Sequence, residues 1–276
     1  MSGKIYGFFR FIRPEIIILG VVCVFIGALV AGSKPLSLDL LLGMIAMFCM
    51  GAGCHPFNDY FDYEVDKINH PNRPLPSGVF KRVSGLYMGL ILFAISLFLS
   101  MFINIFCFAI MLVIILLTFF YESYVKNKGV LGNFLVAFTV SLAFFYGGAI
   151  AYGFFKPIFF SLVTFFVFFG REILLDVRDF EGDKKTRKTL PLIIGEKNSI
   201  YIGSALVMVS AMLLFIPFFY GIYGMWYGLL AIPLTLFTIY ALYLSFVEVK
   251  NAGKTTELLR LSMIFGLILF IIAIYT

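Results

Sequence analysis

Asn58-Asp59-Tyr60-Phe61-Asp62-Tyr63-Glu64-Val65-Asp66 and Asp176-Val177-Arg178-Asp179-Phe180-Glu181-Gly182-Asp183 each close a long apolar run, and both read Asp-x2-Asp-x3-Asp. The register is constant: 59 to 176, 62 to 179 and 66 to 183 are all steps of 117 residues. Spacings of i, i+3 and i+7 set three side chains on one stripe of a helix. If the apolar helix before each motif continues past it, each triplet offers three carboxylates in a single direction. Four apolar spans separate the motifs, and an even number of crossings returns both to the same membrane face.

The composition around these motifs belongs to a bilayer. Of 276 residues, 62% are hydrophobic and 13% charged, against about 25% charged in soluble domains, and the mean hydropathy is +1.02. Apolar windows of about 17 to 25 residues recur near 14–32, 38–58, 83–103, 105–121, 131–153, 157–175, 199–219, 225–247 and 258–275. The expectation is an all-α, polytopic membrane protein whose nine transmembrane helices surround a central cavity. It forms one domain over 1–276, with its polar chemistry on two long loops, about 59–82 and 176–198. Such loops concentrate function when the scaffold is apolar.

Charge orients the spans. With the N-terminus cytoplasmic, 19 of the 21 Lys and Arg fall on the cytoplasmic side, and only Lys34 and Lys156 lie outside. This is the positive-inside pattern, and it places both motifs at the cytoplasmic face of a cell membrane. The net charge of +6 is thus an orientation signal, and no nucleic-acid motif accompanies it. Lys4, Arg10 and Arg13 before the first apolar run imitate a secretory signal, yet everything downstream is equally apolar, so the run reads as a retained first helix. Cys23, Cys49, Cys54 and Cys107 lack metal or redox spacing and read as core thiols.

Acids at a helix end are often no more than solvated. Two triplets in one register on one face ask for more. Three aligned carboxylates repel unless a cation joins them, and magnesium takes oxygen ligands from one or two carboxylates together with phosphate oxygens. A diphosphate clamped through Mg2+ between Asp59, Asp62, Asp66 and Asp176, Asp179, Asp183 satisfies that chemistry. The flanks repeat in kind: Lys67 and then His70-Pro71-Asn72-Arg73-Pro74-Leu75-Pro76-Ser77-Gly78 follow the first triplet, and Lys184-Lys185-Thr186-Arg187-Lys188-Thr189-Leu190-Pro191 follows the second. Lys and Arg suit phosphate oxygens.

At these residues the sequence resembles the UbiA superfamily of intramembrane prenyltransferases, whose hallmark Asn-Asp-x2-Asp-x3-Asp is matched by Asn58, Asp59, Asp62 and Asp66. Tyr121-Glu122-Ser123-Tyr124-Val125-Lys126 and Gly132-Asn133 are similar to that family's Tyr- and Lys-containing helix end after the fourth span. Within the superfamily, Asn-Arg-Pro-Leu-Pro-Ser-Gly and Asp-Val-Arg-Asp-Phe-Glu-Gly-Asp look most like the archaeal digeranylgeranylglyceryl phosphate synthases. The resemblance implies Mg2+-dependent transfer of a geranylgeranyl group from its diphosphate to geranylgeranylglyceryl phosphate in ether-lipid synthesis. It also implies Asn58 among the metal ligands and Tyr121, Tyr124 and Lys126 among the substrate contacts. The alternative acceptor is an aromatic quinone precursor of the 4-hydroxybenzoate type, or haem.

The chemistry asks for further groups. Lys184, Lys185 and Arg73 are suited to the leaving diphosphate, Lys126, Lys128, Arg187 and Lys188 to an acceptor phosphate. Tyr121, Tyr124 and Tyr146 are candidates to shelter an allylic cation in a cavity that excludes water. Arg171 and Glu172 read as a supporting pair. A secondary transporter is a poorer match, because its ionisable site belongs near the bilayer midplane, and 199–247 holds no Asp, Glu, Lys or Arg. No oligomeric state is written in the pattern.

Overall fold

The computed structural model describes residues 2–184 and 188–275, and every regular element among them is helical. The N-terminal half comprises α1 (Ser2–Ile12), α2 (Pro14–Val30), α3 (Leu38–Phe61), α4 (Tyr63–Asn69), α5 (Arg82–Ile103) and α6 (Ile105–Phe120), the last running into a π-helical turn at Tyr121–Val125. There follow α7 (Val130–Ile150), α8 (Phe155–Arg178), α9 (Phe180–Asp183), α10 (Leu190–Ile194), α11 (Glu196–Leu213), α12 (Ile216–Phe219), α13 (Met225–Val247) and α14 (Ala252–Ile272).

Among the described residues, eight helical segments are long and apolar enough to cross a bilayer, against the nine expected. The difference is α2. It is 17 residues long, or about 26 Å at 1.5 Å per residue, a little short of a roughly 30 Å hydrocarbon core. Its start is fixed by Pro14 at the first helical position and by Arg13, whose φ of 52° breaks the chain from α1. The two tight hairpins separate as the apolar windows predict. Asn104 takes an extended backbone between α5 and α6, its side chain accepting from the Cys107 N–H and donating to the Ala149 carbonyl, both at 2.9 Å. Between α11 and α13, Pro217 and the positive-φ Gly221 turn the chain.

The 117-residue register extends from the motifs to the helices that carry them. α3 and α8 are both 24 residues long, and their first and last residues are 117 positions apart. The same step separates the starts of α4 and α9. α3 packs on α5 and α8 on α11, while α2 and α7 cross between the halves. That crossing has no room for side chains: a Cβ on Gly27 would strike the Phe144 carbonyl, and one on Gly147 the Val24 carbonyl. In lipid, helices associate through this kind of small-residue contact.

The bundle encloses a central apolar cavity of about 340 Å3, lined among others by Met47, Met50, Ala143, Val163, Leu234 and Met263. Phe144, Phe160 and Phe270 pack together at the end of the bundle away from the triplets, Phe160 stacked on Phe270 at 4.0 Å. Phe144 and Phe270 also line the cavity, so these rings form its wall at that end.

Candidate active site

Both long helices keep their register through the acidic motifs. α3 breaks at Asp62 and α8 at Asp179, the middle acid of each triplet. The i to i−4 ladder nonetheless continues: Asp62 N–H to the Asn58 carbonyl (2.9 Å), Asp66 to Asp62 (2.8 Å), Asp179 to Leu175 (2.9 Å) and Asp183 to Asp179 (3.0 Å). Each triplet thus projects from a helix end that tightens at its middle acid without losing direction.

In the first triplet Asp59 is fully buried, and Arg13 Nη2 donates to its Oδ1 at 2.6 Å. Arg73 Nη1 binds both oxygens of Asp66, at 2.7 and 2.6 Å, and lies 3.6 Å from Asp59 Oδ1. The stacking of Phe11 on Phe80 at 5.4 Å helps hold α1, and with it Arg13, against the loop that carries Arg73. Asp62 turns elsewhere, to Lys126 Nζ at 2.8 Å. Lys126 also binds Glu122 at 2.7 Å, and the Asn58 amide donates to Glu122 at 2.6 Å. The π turn at 121–125 aims Glu122 and Lys126 at α3; π-helical turns of this kind recur at functional sites.

The second triplet lines a polar cavity of about 110 Å3, in which Asp176, Asp179 and Asp183 meet Tyr121, Lys126 and Glu172. The Asn133 amide donates to Asp176 Oδ2 at 2.7 Å, and Arg178 forks onto Asp179 at 2.8 and 2.7 Å. Lys126 is the link between the two motifs, since it binds Asp62 of the first and shares the cavity of the second. Gly129, with φ of 53°, packs its α-carbon on the Lys188 carbonyl and so closes the loop after the π turn onto the loop before α10.

The remaining residues singled out by sequence are placed unevenly. Lys67 and Lys184 lie on exposed surface, each paired with the glutamate three residues earlier, Glu64 at 3.1 Å and Glu181 at 2.7 Å. Each also covers an aromatic ring, Tyr63 or Phe180. All three positions obey the 117-residue step, so the surface motif is duplicated with the rest. Tyr124 is exposed, its ring beneath Lys128 Nζ at 3.8 Å. Lys188 is exposed, and Lys185 and Arg187 lie outside the described residues. Tyr146 was expected near the chemistry and is not there. It is fully buried against Ser100 (2.7 Å) towards the far end of α7, about 24 Å along the helix from Val130 at 1.5 Å per residue.

Four site groups were given other roles or none by sequence. Arg13 read only as an orientation charge, Glu122 and Asn133 only as parts of a matched segment, and Glu172 only as the partner of Arg171, a pair the structure does form at 3.5 Å. The signal available for them was position: each falls within two turns of a motif residue or a helix end on the same face.

The donor set suits a hard divalent cation. It consists of carboxylate and amide oxygens, and buried Asp59 Oδ2 and Thr189 Oγ1 have no hydrogen-bond partner among the described residues. No group of three His, Cys, Asp or Glu side chains closes on a single point among the described residues. Four of the six carboxylates, Asp59, Asp66, Asp62 and Asp179, instead face Arg13, Arg73, Lys126 and Arg178, which offset their repulsion. One or two carboxylates with phosphate oxygens are the usual Mg2+ set, so a closed group of three is not required.

The model of the UbiA prenyltransferase family matches residues 20–275. The chain belongs to this family. Digeranylgeranylglyceryl phosphate synthase of Sulfurisphaera tokodaii is 32% identical over 276 residues, covering 98% of each chain. A solved structure described as digeranylgeranylglyceryl phosphate synthase in membranes superposes with a TM-score of 0.86 at 31% identity over 99% of each chain. A UbiA homologue from Archaeoglobus fulgidus, solved with GPP and Mg2+, gives a TM-score of 0.67 at 22% identity, covering 96% of this chain and 99% of that one; it shares the fold. The chain is thus a polytopic membrane protein of a prenyltransferase family.

Proposed function

We propose that the chain transfers a geranylgeranyl group from geranylgeranyl diphosphate to geranylgeranylglyceryl phosphate, releasing diphosphate, with Mg2+ as cofactor. The observation that carries the donor half is Lys126, which ties Asp62 to the cavity formed by Asp176, Asp179 and Asp183 and so makes one site of two distant motifs. The acceptor is supported by full-length similarity to synthases named for that product.

In this reading Asp59, Asp62, Asp66, Asp176, Asp179 and Asp183, with Asn58, would hold Mg2+, whose chemistry there is Lewis-acid neutralisation of the leaving diphosphate. Lys126 and Arg73 meet diphosphate oxygens as negative charge builds on the leaving group, and Lys184, Lys185, Arg187 and Lys188 are the basic residues that follow the second triplet in sequence. Arg13 holds Asp59 in place. The prenyl chain lies in the apolar cavity, whose walls exclude water from the allylic cation, and Tyr121 presents its ring at the polar end. As the carbon–oxygen bond to diphosphate breaks, the acceptor hydroxyl adds to the allylic cation to form the ether bond, and its proton leaves with the diphosphate.

The same reading makes the chain one membrane domain with nine crossings, α2 being the first, and a cytoplasmic N-terminus. It rests on the distribution of Lys and Arg, and it sets the site at the cytoplasmic face. The deciding experiment incubates purified protein with labelled geranylgeranyl diphosphate, Mg2+ and either geranylgeranylglyceryl phosphate or 4-hydroxybenzoate. Labelled digeranylgeranylglyceryl phosphate is expected. Product from the aromatic acid alone would overturn the acceptor assignment.

A further inference from the structure

Beyond the acidic motifs lies a second charged cluster, set between the two cavities. Going along α8, Val163, Thr164, Val167 and Phe168 line the apolar cavity, Arg171 and Glu172 follow, and Glu172, Asp176 and Asp179 line the polar one. Arg171 is an arginine inside a membrane-crossing helix, its side chain only 15% exposed, and it is held from two sides: Nη1 lies 3.5 Å from Glu172 and Nε donates to the Thr256 carbonyl at 3.3 Å. One turn beyond Thr256, Arg260 is, among the described residues, the only charged one in the lining of the apolar cavity. Arg260 is exposed and paired with Glu257 at 2.6 Å, so it stands at the rim where that cavity opens. The end of α8 is docked on the same stretch, with the Arg178 stem against Gly253. The charged neighbours of Arg171 are Glu172, Glu257, Arg178 and Arg260, three arginines including itself against two glutamates.

Ionisable groups at this depth are costly to keep unless they pair or serve a ligand. Structural pairing accounts for Arg171. It does not account for Arg260, whose exposed pair with a neighbour on its own helix is of the weak kind and whose side chain helps line an otherwise apolar cavity. A ligand satisfying both features has a long apolar chain for the cavity and an anionic head for the rim. Guanidinium groups are the side chains best matched to phosphate, through paired N–H donors.

We propose that Arg171 and Arg260 form the subsite for the phosphate of the isoprenoid-lipid acceptor, with the acceptor's chain entering the apolar cavity beside the donor's from the Arg260 side and its hydroxyl directed past Glu172 to the acidic motifs. This rests on the proposed transfer reaction and extends it: donor phosphates are taken by the Lys126 side and the acceptor phosphate by the α8–α14 side. The shared chemistry, a phosphate on a lipid, also describes a bilayer phospholipid, and the experiment separates the two.

The test is steady-state kinetics of the purified full chain in detergent with Mg2+, varying each substrate in turn. Arg260→Gln should raise KM for geranylgeranylglyceryl phosphate by about tenfold or more, the loss of one charge-assisted contact, and leave KM for geranylgeranyl diphosphate within about twofold. Arg260→Lys should recover part of the loss. Arg171→Gln should act in the same direction; should it fail to fold, exposed Arg260 still carries the test. Dephosphorylated geranylgeranylglycerol should be a poor acceptor that responds little to Arg260→Gln. An unchanged acceptor KM, or equal rises for both substrates, overturns the subsite. An effect seen only in vesicles containing anionic phospholipid would assign the arginines to the bilayer and overturn it as well. Absence of product from the wild-type chain with geranylgeranylglyceryl phosphate would instead refute the transfer reaction itself.

Discussion

Replacing Lys126 with Met tests the joint between the two acidic motifs. Lys126 Nζ sits 2.8 Å from Asp62 and 2.7 Å from Glu122, and its side chain is 12% exposed. Removing it leaves Glu122, only 5% exposed, with the Asn58 amide as its remaining partner. Breaking a fully buried pair costs about 3–5 kcal/mol. Asp62 is a quarter exposed, so water recovers part of that, and about 1–3 kcal/mol is expected, seen as a fall of several degrees in melting temperature. A lost contact to a charged diphosphate oxygen is worth about 1.5–3 kcal/mol, or about 10- to 150-fold in kcat/KM for the donor. Lys67→Met is the control. Lys67 and its partner Glu64 are 46% and 65% exposed, pairs of that kind contribute about 0–1 kcal/mol, and kcat/KM should stay within about threefold. The assay is turnover of labelled geranylgeranyl diphosphate at saturating acceptor, with thermal unfolding measured in parallel. If Lys126→Met keeps wild-type kcat/KM, or Lys67→Met falls as far, Lys126 does not unite the motifs.

Gly129→Ala should cripple turnover and lower the melting temperature, because φ of 53° is unfavourable for alanine and its methyl would strike the Lys188 carbonyl; turnover and unfolding comparable to wild type would show that the two loops need not touch. Tyr146→Phe removes the buried hydrogen bond to Ser100 and should cost about 1 kcal/mol of stability with kcat unchanged; a large loss of kcat would return Tyr146 to the chemistry.

The membrane architecture was legible in the sequence because the bilayer imposes length and hydropathy on each span. Even the break at Asn104 shows as a polar interruption of an apolar run, and the duplication shows as a constant step between acids. What the sequence hides is who neutralises those acids. The partner of Asp59 is Arg13, 46 residues away, and that of Asp176 is Asn133, 43 residues away; both contacts exist only because α1 folds back over α3 and α7 packs along α8. Nothing local distinguishes Arg13 from the other basic residues before the first apolar run. The same lack of local signal put Lys67 and Lys184 among the phosphate contacts by adjacency to the last Asp, where the helical turn carries them to the surface beside Glu64 and Glu181. The position of Tyr146 was open to counting, since a residue sixteen places along α7 from Val130 lies about 24 Å away, towards the far end of that helix.

The most direct test of the two-motif site measures Mg2+-dependent turnover in Asp62→Ala and Asp179→Ala, one acid from each triplet, beside wild-type protein treated with EDTA and then resupplied with Mg2+. Both variants are expected to insert and fold yet to lose turnover, and EDTA should stop the wild type until Mg2+ restores it. Near-normal turnover in either purified variant, or full activity in chelated wild-type protein, would contradict the account.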